Sequence, residues 1–137
     1  MIRRVATVCT IALCLSTTAA LAQNSAAAPH LVTVNMVNIS PTQFAFQPAQ
    51  ITVHTGDTVR FVQTGTMPHN VQFKHSPAGS TLGAAMMGPF LTAAGQKYDL
   101  VIDGRFALGQ HDFVCTPHET MGMTGALTVL APVVGTH

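Results

Sequence analysis

The segment Phe113-Val114-Cys115-Thr116-Pro117-His118-Glu119-Thr120-Met121-Gly122-Met123 holds a thiol, an imidazole and two thioethers in one short stretch. A second imidazole, His69, stands upstream in Met67-Pro68-His69-Asn70-Val71, at the start of an alternating apolar run. Two imidazoles, one thiolate and one weak thioether are the donors of a single-copper electron-transfer site. Imidazole suits Cu(II) and sulfur suits Cu(I), so a fixed set of both is a compromise between the two states. If the protein holds that compromise rigid, little has to move when an electron arrives or leaves. Each residue alone has a plainer reading. A single Cys in a β protein is often a small core hydrophobe, and a His beside a strand is more often surface or core than ligand. The case rests on order, spacing and the two X-Pro-His steps, Met67-Pro68-His69 and Thr116-Pro117-His118, taken together.

These donors need elements that bring them to one point. Short alternating runs rich in β-branched residues predict strands at Leu31–Val37, Phe44–Phe46, Gln50–His54, Thr58–Gln63, Asn70–Phe73, Lys97–Ile102, Gln110–Cys115 and Gly125–Leu130. The turn Thr55-Gly56-Asp57 predicts that Gln50–His54 and Thr58–Gln63 form a hairpin. Residues 76–96 read as loop, with one helical turn near Leu82–Met87. The pattern is all-β, a sandwich or barrel and most naturally a Greek key. Cys115 then closes one strand, His118 follows three residues later, and Met123 leads into the last strand. That loop leaves the sheet, offers its side chains to one point and returns. Pro68 and Pro117 cannot donate to a ladder, so both histidines belong to loops at the end of the sheets.

The first residues read differently. Met1-Ile2-Arg3-Arg4 is basic, residues 5–21 are apolar or small, and Ala20-Leu21-Ala22 precedes Gln23. This is the form of an export signal cleaved after Ala22. The expected organisation is a signal at 1–22, a frayed lead-in at 23–30 and a single domain at 31–137, with no membrane anchor. Cys9 and Cys14 fall inside the signal, so Cys115 is left alone with no internal disulfide partner. A lone thiol in an oxidising compartment needs protection, and a metal would give it. Beyond residue 22, Arg60, Lys74, Lys97 and Arg105 stand against Asp57, Asp99, Asp103, Asp112 and Glu119, a formal charge of −1. Nothing in this balance attracts nucleic acid or an anionic membrane.

The ligand segment resembles the cupredoxins, most closely their plastocyanin and pseudoazurin branch. Cys-Thr-Pro-His-x-x-Met-Gly-Met is similar to the pseudoazurin ligand loop, and Pro68-His69-Asn70-Val71 to the upstream ligand segment of plastocyanins. Gly56-Asp57-Thr58-Val59 before Phe61 is also typical of the family. The resemblance spans essentially all of the chain beyond residue 22. It implies an eight-stranded Greek-key sandwich and one type 1 copper cycling between Cu(I) and Cu(II). Carried over by position, the metal ligands are His69, Cys115, His118 and an axial Met123. Met121 would suit the shorter amicyanin loop, but the pseudoazurin-like pattern contains both methionines and uses the second. The resemblance also implies that the Asn70 backbone N–H bonds the Cys115 sulfur and that the Asn70 side chain ties to Thr116. It implies an exposed edge of His118 amid apolar residues, drawn from Met67, Pro117, Met121 and the segment from Met86 to Phe90.

The expected function is a periplasmic blue-copper electron carrier, monomeric, docking redox protein partners near His118. The alternative is a periplasmic protein for copper trafficking or resistance, since Met and His are plentiful. An enzyme is not expected, because four protein donors leave no open position for substrate. His30, His54, His75, His111 and His137 carry no motif and read as surface or structural.

Overall fold

A computed structural model describes residues 28–134. The expected signal, most of the lead-in and His137 lie outside the described residues. Eight strands form: β1 (Leu31–Ser40), β2 (Gln43–Gln47), β3 (Gln50–His54), β4 (Thr58–Gln63), β5 (Gln72–His75), β6 (Lys97–Val101), β7 (Gly109–Val114) and β8 (Thr124–Leu130). They build two four-stranded sheets, ordered β2-β1-β4-β6 and β3-β8-β7-β5. The result is a mostly antiparallel sandwich of Greek-key type, with parallel pairs only at β1–β4 and β3–β8 among the described strands. No helix among the described residues is long and apolar enough to cross a membrane.

The core follows from the period-2 alternation. Val34 and Met36 of β1, Val59 and Phe61 of β4, and Leu127 and Val129 of β8 all point inward and are buried. At the centre, Phe113 of β7 meets Phe46 at 4.9 Å, Phe61 at 5.6 Å and Phe73 at 5.8 Å between ring centroids. These are edge-on contacts joining both sheets, the arrangement that aromatic quadrupoles favour. Gly125 of β8 pairs with Phe113. A Cβ there would lie 2.4 Å from the Phe113 ring, so the ring can settle on β8 only because residue 125 has no side chain.

The structure corrects the expected hairpin. β3 and β4 follow one another in sequence but belong to opposite sheets. The reason lies in the turn. Asp57 is buried, and its two carboxylate oxygens each accept a backbone N–H, from His30 and from His54, both at 2.8 Å. The Gly56 N–H donates to Ile102 O at 2.7 Å, and the Thr55 N–H to Leu130 O at 3.0 Å. Gly56 sits at φ 107°, a region that favours glycine. The turn is thus pinned to both sheets and carries the chain across the sandwich. Burial of the Asp57 carboxyl pushes its pKa up, but the bonds from His54 and His30 outweigh this and hold it below the usual carboxylate range.

The expected strand at Asn70–Phe73 also shifts, to Gln72–His75. The first two residues are engaged elsewhere: Asn70 ties to Thr116, and the Val71 carbonyl accepts the Gly88 N–H at 2.8 Å. The helical turn expected near Leu82–Met87 is a 3-10 turn at Gly83–Met86.

Candidate metal centre

His69, Cys115 and His118 converge at one end of the sandwich. His69 is held by a two-residue bridge: its N–H donates to Leu91 O at 3.1 Å, and the Leu91 N–H returns to His69 O at 2.8 Å. Cys115 immediately follows β7. Its N–H donates to Met123 O at 3.0 Å, so the loop closes on itself at its two ends. Between them lies a 3-10 turn, Thr116–Met121, with Pro at its start. The His118 N–H donates to Cys115 O at 3.0 Å, the Met123 N–H to His118 O at 3.1 Å, and Gly122 ends the turn at φ 83°. The loop is therefore rigid through its own backbone bonds.

The donor atoms form a tight triangle. His69 Nδ1 and His118 Nδ1 are 3.0 Å apart, and Cys115 Sγ lies 3.5 Å from the first and 3.3 Å from the second. These are the separations of three donors that share one ion at normal metal–nitrogen and metal–sulfur distances. His69 and Cys115 are completely buried and His118 is 5% exposed. Burial, with the neighbouring His118 as a smaller cause, pushes the His69 pKa down to about 4. Burial likewise lowers that of His118. Both imidazoles are then neutral at pH 7, the form that binds a metal. Burial pushes the Cys115 thiol up, against the opposing pull of backbone N–H groups from Asn70 and His118. A cation in the triangle would reverse that balance and hold the thiolate.

The expected tie between the Asn70 side chain and Thr116 is present. Asn70 Nδ2 donates to Thr116 Oγ1 at 3.0 Å, and the Thr116 N–H donates to Asn70 Oδ1 at 2.9 Å. Asn70 thus clamps the two loops that carry the histidines. Met123 is fully buried, whereas Met121 is 50% exposed. Met67, Met86, Met87 and Phe90 are exposed as well. His118 keeps only a small exposed edge, and the Phe44 ring of β2 stacks on it at 3.9 Å and 27°. His111, read as structural, is buried with both ring nitrogens satisfied, by Ser76 Oγ at 2.9 Å and Ala107 O at 2.8 Å.

Three site residues escaped the sequence reading: Phe44, Asn38 and Gln63. Asn38 Oδ1 lies 2.9 Å from His69 Nε2. An amide oxygen only accepts, so Nε2 carries the proton and Nδ1 presents its lone pair to the triangle. Gln63 is completely buried and bonded to Met67 O, to Leu91 O at 3.3 Å and to the Gly65 N–H at 3.3 Å. A signal for both amides lies in the alternation. Inward positions run Val34, Met36, Asn38 along β1 and Val59, Phe61, Gln63 along β4, so each apolar series ends in an amide.

Comparisons with known proteins agree with this geometry. A family model described as copper binding proteins, plastocyanin/azurin family, matches residues 23–130. Plastocyanin of Prochlorothrix hollandica is 32% identical over 105 residues, spanning 75% of this chain and 78% of that protein. Plastocyanin of Scenedesmus fuscus is 33% identical over 86 residues, 61% of this chain and 85% of that one. Among solved structures, oxidised plastocyanin of the fern Dryopteris crassirhizoma superimposes with a TM-score of 0.60 at 30% identity, over 72% of this chain and all of that one. A reduced amicyanin variant gives a TM-score of 0.55 at 29% identity, over 73% and 82% of the two chains. With the matched model covering most of its length and its buried His/Cys/His triangle in place, the chain belongs to the plastocyanin/azurin family of copper-binding proteins.

Proposed function

We propose that this protein is a blue-copper electron carrier, with His69, Cys115 and His118 as the strong ligands and Met123 as the weak axial one. The observation that carries this reading is the convergence of two neutral imidazoles and one thiol in a buried triangle. Copper bound there supplies one Cu(I)/Cu(II) couple. The chain's own residues do the rest. The Cys115–Met123 loop fixes its donors by backbone bonds, Asn38 sets the His69 tautomer, and Asn70 locks the two ligand loops together. Such outer contacts orient ligands and tune their basicity. Four protein donors leave no open position for a substrate, which supports a carrier over an enzyme. The decisive experiment is the visible and EPR spectrum after one equivalent of Cu(II) is added; a pale, ordinary Cu(II) spectrum would sink the proposal.

The axial assignment has its own test. Met123 is buried and bonded through its backbone to both Cys115 and His118, whereas Met121 is half in solvent. Met123→Leu is therefore expected to shift the reduction potential and the spectrum, and Met121→Leu to leave both in place. The reverse pattern refutes the assignment.

Partner docking is proposed at the His118 end, on the surface formed by exposed Met67, Met86, Met87, Phe90 and Met121. Charges near it are matched: Lys74 pairs with Glu119 at 3.2 Å across the ligand loop. Docking is then mainly apolar, and the rate of reduction by a redox partner is expected to fall by less than about threefold as salt rises from ~0.05 to ~0.5 M. A tenfold fall would point to electrostatic steering instead. We also propose export to the periplasm with cleavage after Ala22. The family match begins at residue 23, which supports this boundary. Intact mass of the exported protein should give an N-terminus at Gln23; a mass that retains residues 1–22 contradicts it.

A further inference from the structure

We propose that Gln63 is a positioning residue for His69, acting on the main chain and on the ring of that ligand at once. This rests on the reading of His69 as a ligand. Parallel strands β1 and β4 lie side by side with Met36 opposite Gln63. Both strands therefore bring their terminal inward amides, Asn38 and Gln63, to the same end of the sandwich as the donor triangle.

The main-chain arm runs through the Gln63 side-chain NH2. It donates to the carbonyl of Met67, two residues before His69, and to the carbonyl of Leu91 at 3.3 Å. The same Leu91 carbonyl accepts the His69 N–H at 3.1 Å. One amide thus holds both segments between which the His69 backbone is fixed. The ring arm runs through Gln63 Oε1, which accepts the Gly65 N–H at 3.3 Å. Gly65 packs directly on the Asn38 amide: a Cβ at residue 65 would lie 2.2 Å from Asn38 Oδ1. That oxygen is the acceptor for His69 Nε2–H at 2.9 Å. Next door, the N–H and hydroxyl of Thr64 both bond Met36 O, at 3.1 and 2.9 Å, which fastens this corner to β1.

Burial makes the arrangement stiff. Gln63 is 0% exposed, so water cannot replace the bonds it makes. Its own backbone is anchored too, with N–H to Gln96 O at 2.9 Å and carbonyl from the Gly95 N–H at 2.7 Å. A leucine at this position would fit the core phase of β4 and satisfy hydrophobic burial equally well. The amide is explained by the bonds it makes, and these lead to His69 by two routes.

The test uses Gln63→Leu and follows the His69 Nε2 proton by NMR in the metal-free full chain. In the wild type this proton, buried and bonded to Asn38, is expected to exchange slowly. In the variant its exchange is expected to rise about tenfold or more while core amides such as Leu100 and Phe113 keep their protection. A folded variant with wild-type exchange at His69 overturns the proposal. Should the variant not fold, the wild-type Gln63 side-chain NH2 decides: it must exchange far more slowly than the exposed Gln50 and Gln110 amides, and equal rates overturn the proposal. In the copper-loaded protein Gln63→Leu shifts the reduction potential, which a residue serving only stability would leave alone; an unchanged potential also overturns it. Failure of the copper reading would appear separately, as a wild type without a blue spectrum, and would leave the proton-exchange result standing.

Discussion

Cys115→Ser is expected to abolish the intense visible band and the narrow copper hyperfine splitting of the Cu(II)-loaded protein, and to slow electron transfer by at least ~100-fold, a loss that even an outer-shell partner can cause. Both spectral features require a sulfur that shares its electron density with copper. A serine hydroxyl is a hard donor that stays protonated, even with the Asn70 and His118 N–H groups directed at it. His69 and His118 remain 3.0 Å apart at their Nδ1 atoms, so Cu(II) still binds, but as an ordinary, pale complex. The fold should survive. The Cys115 backbone bonds do not depend on its side chain, and burying one hydroxyl costs about 1–3 kcal/mol. Absorption and EPR of the loaded variant, with urea unfolding as the control, check the outcome. A blue spectrum that persists without the thiol would mean that the triangle is not the copper site.

Phe113→Ala is expected to cost about 3–5 kcal/mol of stability, the range for emptying a buried aromatic position. Phe113 is 0% exposed and touches rings from β2, β4 and β5, so its loss opens a void on the midline of the sandwich. The surroundings collapse poorly, because β8 already lies against the ring through Gly125 and has no side chain to swing in. Against a typical domain stability of about 5–15 kcal/mol, this change brings the protein near its threshold. It also loosens Val114 and Cys115, which continue the same strand end. The urea midpoint measures it, and a loss below about 1 kcal/mol would show that Phe113 is not the keystone that its contacts indicate.

The extent to which the sequence disclosed this site depends on the range of each interaction. β3 and β4 were legible to the residue, because strict alternation between turn signals is local information. Their partners were not. A turn such as Thr55-Gly56-Asp57 reads as a hairpin until Asp57 is seen bonding His30, which lies on another stretch of chain. The convergence of Cys115 and His118 was legible because one loop holds them, and that of His69 because a Pro-His step marks it. Asn38 was not, since its acceptor role appears only when the end of β1 is laid beside a residue 31 positions away. Phe44 looked like any inward aromatic, and its stack on His118 depends on how β2 crosses the ligand loop. Gln63 was there to be found: a glutamine in the third inward place of β4 breaks an apolar series that has no local need of it.

The topology also dictates when the site can exist. A chain made from its N-terminus presents His69 halfway along the sequence, well before Cys115, His118 and Met123. β3 has one partner among the described strands, β8, which is the last of them in sequence. Until Thr124–Leu130 arrives, that strand has nothing to pair with, and one sheet lacks its centre. Pairing of this kind is non-local and therefore slow, and an unpaired strand is a hazard while it waits. A metal that needs all three donors of the triangle could then be captured only late in the life of the molecule. A nascent chain carries too few of the donors to close the triangle, and the Cys115 thiol appears only just before the walls that enclose it.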